Sequence, residues 1–287
     1  EVVSSAEFKK LRPDLSYEKI TPELKIENLN LLGKESKFGV DSHEGKILRT
    51  LRFKNITDAI EDRYNLPSGV LMAMVMQEST GIDLLPNSSG DGGFGLCHMQ
   101  GSTASDFNLK TFHECNSLVC NSVRGCKNEK GEFANHAEQL KQLMKDKKDD
   151  RLALVNADDR LHFILNLDAA GRMLASYMSG PKLKGELSGI NSFETAIARY
   201  AGKDNFRNYL KKVTKNMNDL KDSNVIDEIV ENFNAINPDL KINGEPADFY
   251  AYIAKFQEQH ADYGLEEYKK LPKYNPKNSD EVLKTFS

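Results

Sequence analysis

The chain has 287 residues, 39% of them hydrophobic and 29% charged, with a net charge of −4. That composition suits a globular protein of one generous domain or two small ones, and it excludes a disordered chain. Mixed charge of both signs argues against a nucleic-acid partner, and the sequence holds no apolar run near the roughly 20 residues of a membrane span.

Residues 1–54 are polar and lysine-rich, with Pro13 and Pro22 breaking any long helix. Short amphipathic pieces such as Leu24 to Leu32 suit packing on a larger body, so this region reads as an N-terminal extension. Ile56, Ile60 and Tyr64 then recur at helical spacing. An apolar run from Val70 to Met76 follows and switches abruptly to Gln77-Glu78-Ser79, with Gly81 where a helix would end. Pro67 and Ser68 suit its first turn and N-cap. This pattern predicts a buried helix that delivers one carboxylate, Glu78, at its mouth.

A polar stretch with four glycines in six residues comes next, Gly90-Asp91-Gly92-Gly93-Phe94-Gly95, then Leu96-Cys97-His98-Met99-Gln100. Glycine at that density lets backbone pass close to a ligand or take positive φ, which suits the lining of a cleft. From Gly101 to about Gly131 the sequence is irregular and cysteine-bearing. The four cysteines, Cys97, Cys115, Cys120 and Cys126, cluster here in even number. They predict two local disulfides and an oxidising compartment, periplasmic or secreted, with three pairings open. Position 1 is Glu rather than Met, so the expected compartment rests on these cysteines. A zinc site with His98 and His113 is disfavoured, since no Cys-x-x-Cys pair is present, and free buried thiols are the remaining alternative.

Helices are predicted at Phe133 to Lys145, with Ala137, Leu140 and Met144 on one face, and at Leu161 to Tyr177, apolar through Ile164, Leu165, Leu167, Met173 and Leu174. The run KDKKDD from Lys145 to Asp150 reads as a solvated helix end. Phe193 to Val213 is helical on both sides of an interruption at Gly202, which leaves Tyr200 at a helix end with its hydroxyl free to face a cleft. Beyond Asn216, helices are expected at Val225 to Phe233 and Phe249 to His260, with turns at Asn237-Pro238 and Gly244-Glu245-Pro246. Strand signals are weak throughout, so the fold class is mainly α.

A helix ending in Glu78-Ser79, a glycine-rich turn and then Gly95-Leu96-x-x-Met99-Gln100 resembles the soluble lytic transglycosylase and goose-type lysozyme superfamily. The stretch Ala196-Ile-Ala-Arg-Tyr200-Ala-Gly202, followed by Asn205-Phe-Arg-Asn-Tyr-Leu210, is similar to that family's Ala-Tyr-Asn-Ala-Gly element and the helix after it. The resemblance implies a lysozyme-like helical core over residues 55–215, flanked by the N-terminal extension 1–54 and a C-terminal helical extension 216–287, and a close helix crossing at Gly171, since that superfamily has a glycine in a similar helix. It implies a peptidoglycan substrate cut at the β-1,4 bond between N-acetylmuramic acid (MurNAc) and N-acetylglucosamine (GlcNAc), with no metal or cofactor. Glu78 would be the catalytic acid. Ser79, Gly95, Leu96, Met99, Gln100 and Tyr200 would contact the glycan.

Glycosidic cleavage needs a proton for the leaving oxygen, and an acid that works near neutral pH needs partial burial; the apolar residues before Glu78 offer that setting. Asp91 lies thirteen residues after Glu78, similar in context and spacing to the goose-type aspartate that positions water, which favours hydrolysis. A second goose-type aspartate is not matched, since Gly101 and Ser102 follow Met99-Gln100, and this leaves a lytic transglycosylase as the alternative. Cys97 and His98 interrupt the family string, while Arg199 and Tyr200 stand at the family's Tyr and Asn, so the sugar-amide subsite is expected to differ, with an altered preference for the glycan's acetylation state. A non-catalytic glycan-binding protein of the same fold is a further alternative.

Overall fold

The computed structural model describes residues 26–27, 38–39, 41–84, 92–107, 109–112, 136–148, 150–179, 192–202, 205–242, 244–258 and 263–274. They are mainly helical, with three two-residue strands. In chain order the elements are β1 (Ile26–Glu27), α1 (His43–Leu51), α2 (Lys54–Tyr64), α3 (Val70–Glu78), α4 (Gly101–Asp106), α5 (His136–Asp146), α6 (Arg151–Ala157), a 3-10 turn at Asp159–Leu161, α7 (Phe163–Ser179), α8 (Ser192–Ala201), α9 (Phe206–Lys221), α10 (Ser223–Ile236), β2 (Lys241–Ile242), β3 (Glu245–Pro246), α11 (Phe249–Glu258) and α12 (Leu265–Tyr268). The strands form one antiparallel sheet in the order β1-β2-β3, with Ile26 opposite Ile242 and Lys241 opposite Pro246.

Helix α3 lies at the centre, and every residue from Val70 to Met76 is buried. A helix apolar on all sides must be enclosed on all sides, and α1, α2, α7 and α9 pack against it. Helix α8 packs against both α7 and α9. The α2–α7 crossing is close because Gly171 has no side chain: a Cβ there would lie 2.7 Å from Ile60 Cγ2 and 3.1 Å from Tyr64 Cδ2. The apolar core is continuous from Phe38 to Tyr268. It takes Ile47 and Leu48 from α1 and Phe233, Ile242, Phe249 and Tyr252 from beyond residue 216. A smaller cluster around Phe94, Leu140, Leu154 and Leu161 joins α5 and α6 to the body. No helix among the described residues is long and apolar enough to cross a membrane.

Buried polar groups tie the layers together. Asp168 on α7 accepts hydrogen bonds from Tyr64 (2.8 Å) and Tyr268 (2.6 Å) and pairs with Arg63 at 3.2 Å, which anchors α12 against α2. Asn216 on α9 donates to the Ala73 carbonyl of α3 at 3.3 Å.

The start of α3 differs from the expected Pro67-Ser68 cap. The N-cap is Gly69, in the left-handed region at φ 83°, and no residue there offers a capping side chain. Instead the Glu61 carboxylate of α2 accepts the Gly69 and Leu71 N–H groups, both at 2.8 Å. The unpaired N–H groups of the first turn thus find a partner from a neighbouring helix.

Burial pushes the Glu61 carboxyl up to about 7 from its ordinary 4.5, against the lowering effect of those two N–H groups. A carboxyl whose affinity for a proton rises on folding stabilises the fold fully below about 4.5 and ceases to do so as pH rises through about 7. Denaturant unfolding should therefore show stability falling between pH 5 and pH 8, and Glu61→Gln should flatten that slope; an unchanged slope in the variant would show that other groups cause it.

Candidate active site

Helix α3 ends at Glu78, and the next three residues turn the chain back. The Ser79 N–H and Oγ both bond the Val75 carbonyl, Thr80 takes φ 56° and Gly81 φ 77°. At Gly81 a Cβ would lie 2.8 Å from Arg49 Cβ and 2.9 Å from the Arg49 carbonyl carbon, so the turn presses on the end of α1. Two arginines from that region hold it. Arg49 Nε donates to the Thr80 carbonyl at 2.8 Å, and Arg52 Nη2 donates to the Gly81 carbonyl at 2.5 Å. A buried ion pair between Asp83 and Arg151 fixes the chain further on.

The segment opposite Glu78 is a tight reversal. Phe94 and Met99 exchange both backbone hydrogen bonds, at 3.1 and 2.9 Å, and enclose the turn Gly95-Leu96-Cys97-His98. Two side chains from outside the glycine-rich motif hold this turn. Asn166 on α7 accepts from the Cys97 N–H at 2.9 Å and donates to the Phe94 carbonyl at 3.2 Å. Arg160 donates to the Gly92 and Met99 carbonyls at 2.9 and 3.1 Å, while its other edge forms a two-bond pair with Asp158 and its plane lies 4.9 Å over the Phe94 ring. Gly93 lets the His98 carbonyl approach, since a Cβ there would be 2.5 Å from it. Cys97 and His98 thus take separate places. Cys97 is buried in the core, and His98, at φ 44°, lies beside Glu78.

Glu78 is 18% exposed, and its two oxygens have different neighbours. Tyr209 on α9 donates to Oε1 at 2.5 Å, whereas His98 Nδ1 lies 3.7 Å from Oε2. Burial, and next the Glu78 charge, push the Tyr209 phenol well above its ordinary 10, so it keeps its proton and acts as a donor. The Tyr200 ring stacks on Tyr209 with centroids 6.1 Å apart. These groups line a cavity of about 640 Å³, a size that accommodates small ligands.

Met99, Gln100 and Tyr200, all expected at the site, line that cavity with Glu78. The Tyr200 hydroxyl, expected to face the cleft, instead donates to the Cys97 carbonyl at 2.7 Å. Ser79, Gly95 and Leu96 are not among the lining residues. Ser79 and Leu96 are buried, and Gly95 serves the turn. Asp91 lies outside the described residues. The expectation of two disulfides fails for Cys97, which is a free thiol, because the turn buries its side chain in the core; that burial also raises its pKa. Cys115, Cys120, Cys126 and His113 lie outside the described residues. Among those described, no group of three or more metal-ligating acids, histidines or cysteines occurs.

Sequence reasoning missed Tyr209 and the rest of its helix face. Asn205, Asn208, Tyr209 and Lys212 line the cavity at i, i+3, i+4 and i+7 spacing, and that periodicity was the available signal. Gln77, Thr103, Met173 and Tyr177 complete the walls. No family model matches this sequence, and neither a curated protein nor a solved structure matches it.

Gly95 tests how firmly the turn is built. At φ 77°, a Cβ would sit 2.1 Å from the Arg160 carbonyl oxygen and 2.3 Å from Asn166 Nδ2. Gly95→Ala is expected to cost about 2–5 kcal/mol in denaturant unfolding, from the left-handed backbone and the overpacking together. A loss below about 0.5 kcal/mol, the range of ordinary surface substitutions, would show that the turn gives way easily.

Proposed function

We propose that this chain is a peptidoglycan-cleaving glycosidase that acts on the β-1,4 MurNAc–GlcNAc bond, with Glu78 as the acid. The observation that carries the reading is the pairing of Glu78 with Tyr209 in a half-enclosed cavity walled by tyrosines and side-chain amides. A sugar chain offers hydroxyl and acetamido groups that such amides can bond, and apolar ring faces that tyrosines can cover. The choice of peptidoglycan rests on the resemblance of the Glu78, Gly95–Gln100 and Ala196–Gly202 segments to the lysozyme and lytic transglycosylase superfamily. A periplasmic or secreted location belongs to the same proposal.

The division of labour between the two oxygens of Glu78 supports the chemistry. Tyr209 occupies Oε1 as a donor, which leaves Oε2 to carry the acid proton. That proton passes to the glycosidic oxygen as its bond to the anomeric carbon breaks, and the leaving sugar departs as an alcohol. The positive charge left on the ring is then quenched in one of two ways. If Asp91 holds and deprotonates a water, the product is a new reducing end. If the muramyl 6-hydroxyl attacks and returns its proton to Glu78, the product is a 1,6-anhydro sugar. The place of Asp91 in the sequence, thirteen residues after Glu78 and similar to the goose-type pattern, favours the first outcome.

Glu78→Gln keeps the shape but has no proton to give, so clearing of purified cell walls should fall by at least about 100-fold, with the folded state intact by circular dichroism. Tyr209→Phe should lower the same rate by about 10- to 100-fold, the worth of a hydrogen bond to a charged group. Clearing by Glu78→Gln at the wild-type rate would remove Glu78 from the chemistry.

A further inference from the structure

The charges on the cavity wall are unevenly matched. Glu78 has Tyr209 and His98 at its oxygens, and Gln77, Gln100, Asn205 and Asn208 present neutral amides. Lys212 is the one lysine or arginine among the described lining residues. It is exposed, and it makes no ion pair within the described residues, unlike Lys215 one turn further along α9, which pairs with Asp219 at 2.5 Å. Lys212 shares its helix face with Tyr209 and lies three residues beyond it, about 4.5 Å along the axis. A glycan whose scissile oxygen meets Glu78 would therefore bring a substituent of an adjoining ring to the lysine.

We infer that Lys212 is the seat for a carboxylate carried by the glycan, so that the site selects an acidic sugar chain over a neutral one of the same backbone. This rests on the glycosidase reading above and adds the recognised group to it. In peptidoglycan, two sources supply that chemistry: the lactyl carboxylate of MurNAc where no peptide is attached, and the carboxylates of the stem peptide where one is. A β-1,4-linked GlcNAc oligomer has the same backbone and no carboxylate. The ammonium of Lys212 is a point charge on a flexible stem, which fits a carboxylate on a mobile side arm better than a fixed two-bond contact.

The test is calorimetric binding to the full chain carrying Glu78→Gln, so that the glycan is not consumed. The three probes are a stem-free GlcNAc–MurNAc tetrasaccharide, the same sugar with stem peptides, and chitotetraose. Adding Lys212→Met is expected to weaken binding of an acidic probe about fivefold at low salt, the upper range for an exposed charge pair. The difference should shrink as salt rises, and chitotetraose should bind both proteins alike. Weakening confined to the stem-free sugar identifies the lactyl group, and weakening confined to the stem-bearing sugar identifies the peptide. Lys211→Met, which removes an exposed charge next along the helix but outside the cavity lining, should change nothing.

Equal affinities with and without Lys212 on both acidic probes would overturn the inference. So would an equal loss on chitotetraose, or the same loss from Lys211→Met. If those results accompany cell-wall cleavage by the wild type, the glycosidase reading survives and the carboxylate seat alone is lost. Failure of every probe to bind, together with an inactive wild type, would overturn both.

Discussion

The site depends on how an apolar helix without an N-terminal capping side chain of its own is held at both ends. Helix α3 contains no acidic residue in its first turn and no basic residue in its last, and its N-cap is a glycine. Its exposed backbone groups would be left unpaired in the core, at a cost of several kcal/mol, if neighbours did not supply partners. Glu61 from α2 bonds the N–H groups at one end, and Arg49 and Arg52 from the α1 region hold the carbonyls of Thr80 and Gly81 just beyond the other. Glu78 is consequently placed by charged side chains from two separate helices, and the direction of its carboxylate is a property of the packed core.

The facing turn follows the same logic. Its backbone reverses within four residues, and the groups that it leaves unpaired are bonded by Asn166 and Arg160, with Asp158 neutralising the arginine. Such a buried pair contributes little to stability compared with an apolar replacement, but its loss would leave carbonyls without donors beside the cavity. Gly93 and Gly95 belong to this construction: one admits the His98 carbonyl and the other the Arg160 carbonyl. In this arrangement, Cys97 and His98 sit within an ordered reversal that turns one side chain into the core and the other toward Glu78.

The helices were legible because apolar residues recur at helical spacing, and Glu78 was legible because an apolar run gives way to polar residues in one step. The close approach at Gly171 was expected from the resemblance, through a glycine in a similar helix of that superfamily. Partners brought from elsewhere in the chain were not. Glu61 caps a helix that begins nine residues later, while Asn166 reads as a core interruption until its contact with Cys97 is known. Tyr209 lay inside the second motif, yet its role depends on the angle at which α9 crosses α3, set by packing and by the bond from Asn216 to Ala73. Cysteine count misled at Cys97, because clustering in sequence does not reveal which side chains a turn buries.

One carboxylate held by a tyrosine, with Asn205, Asn208 and Lys212 lining the cavity from α9, is the basis on which we propose a cleft for a polar chain with an occasional negative charge. We propose that this cleft breaks the MurNAc–GlcNAc bond by proton transfer from Glu78. Mass spectrometry of the fragments released from defined peptidoglycan by the wild-type chain tests it directly. The expected fragments are muropeptides ending in MurNAc, either as reducing ends or lighter by one water as 1,6-anhydro sugars, with none of them from the Glu78→Gln protein. Fragments cut at a peptide bond or at the GlcNAc–MurNAc linkage, or no release at all, would contradict it.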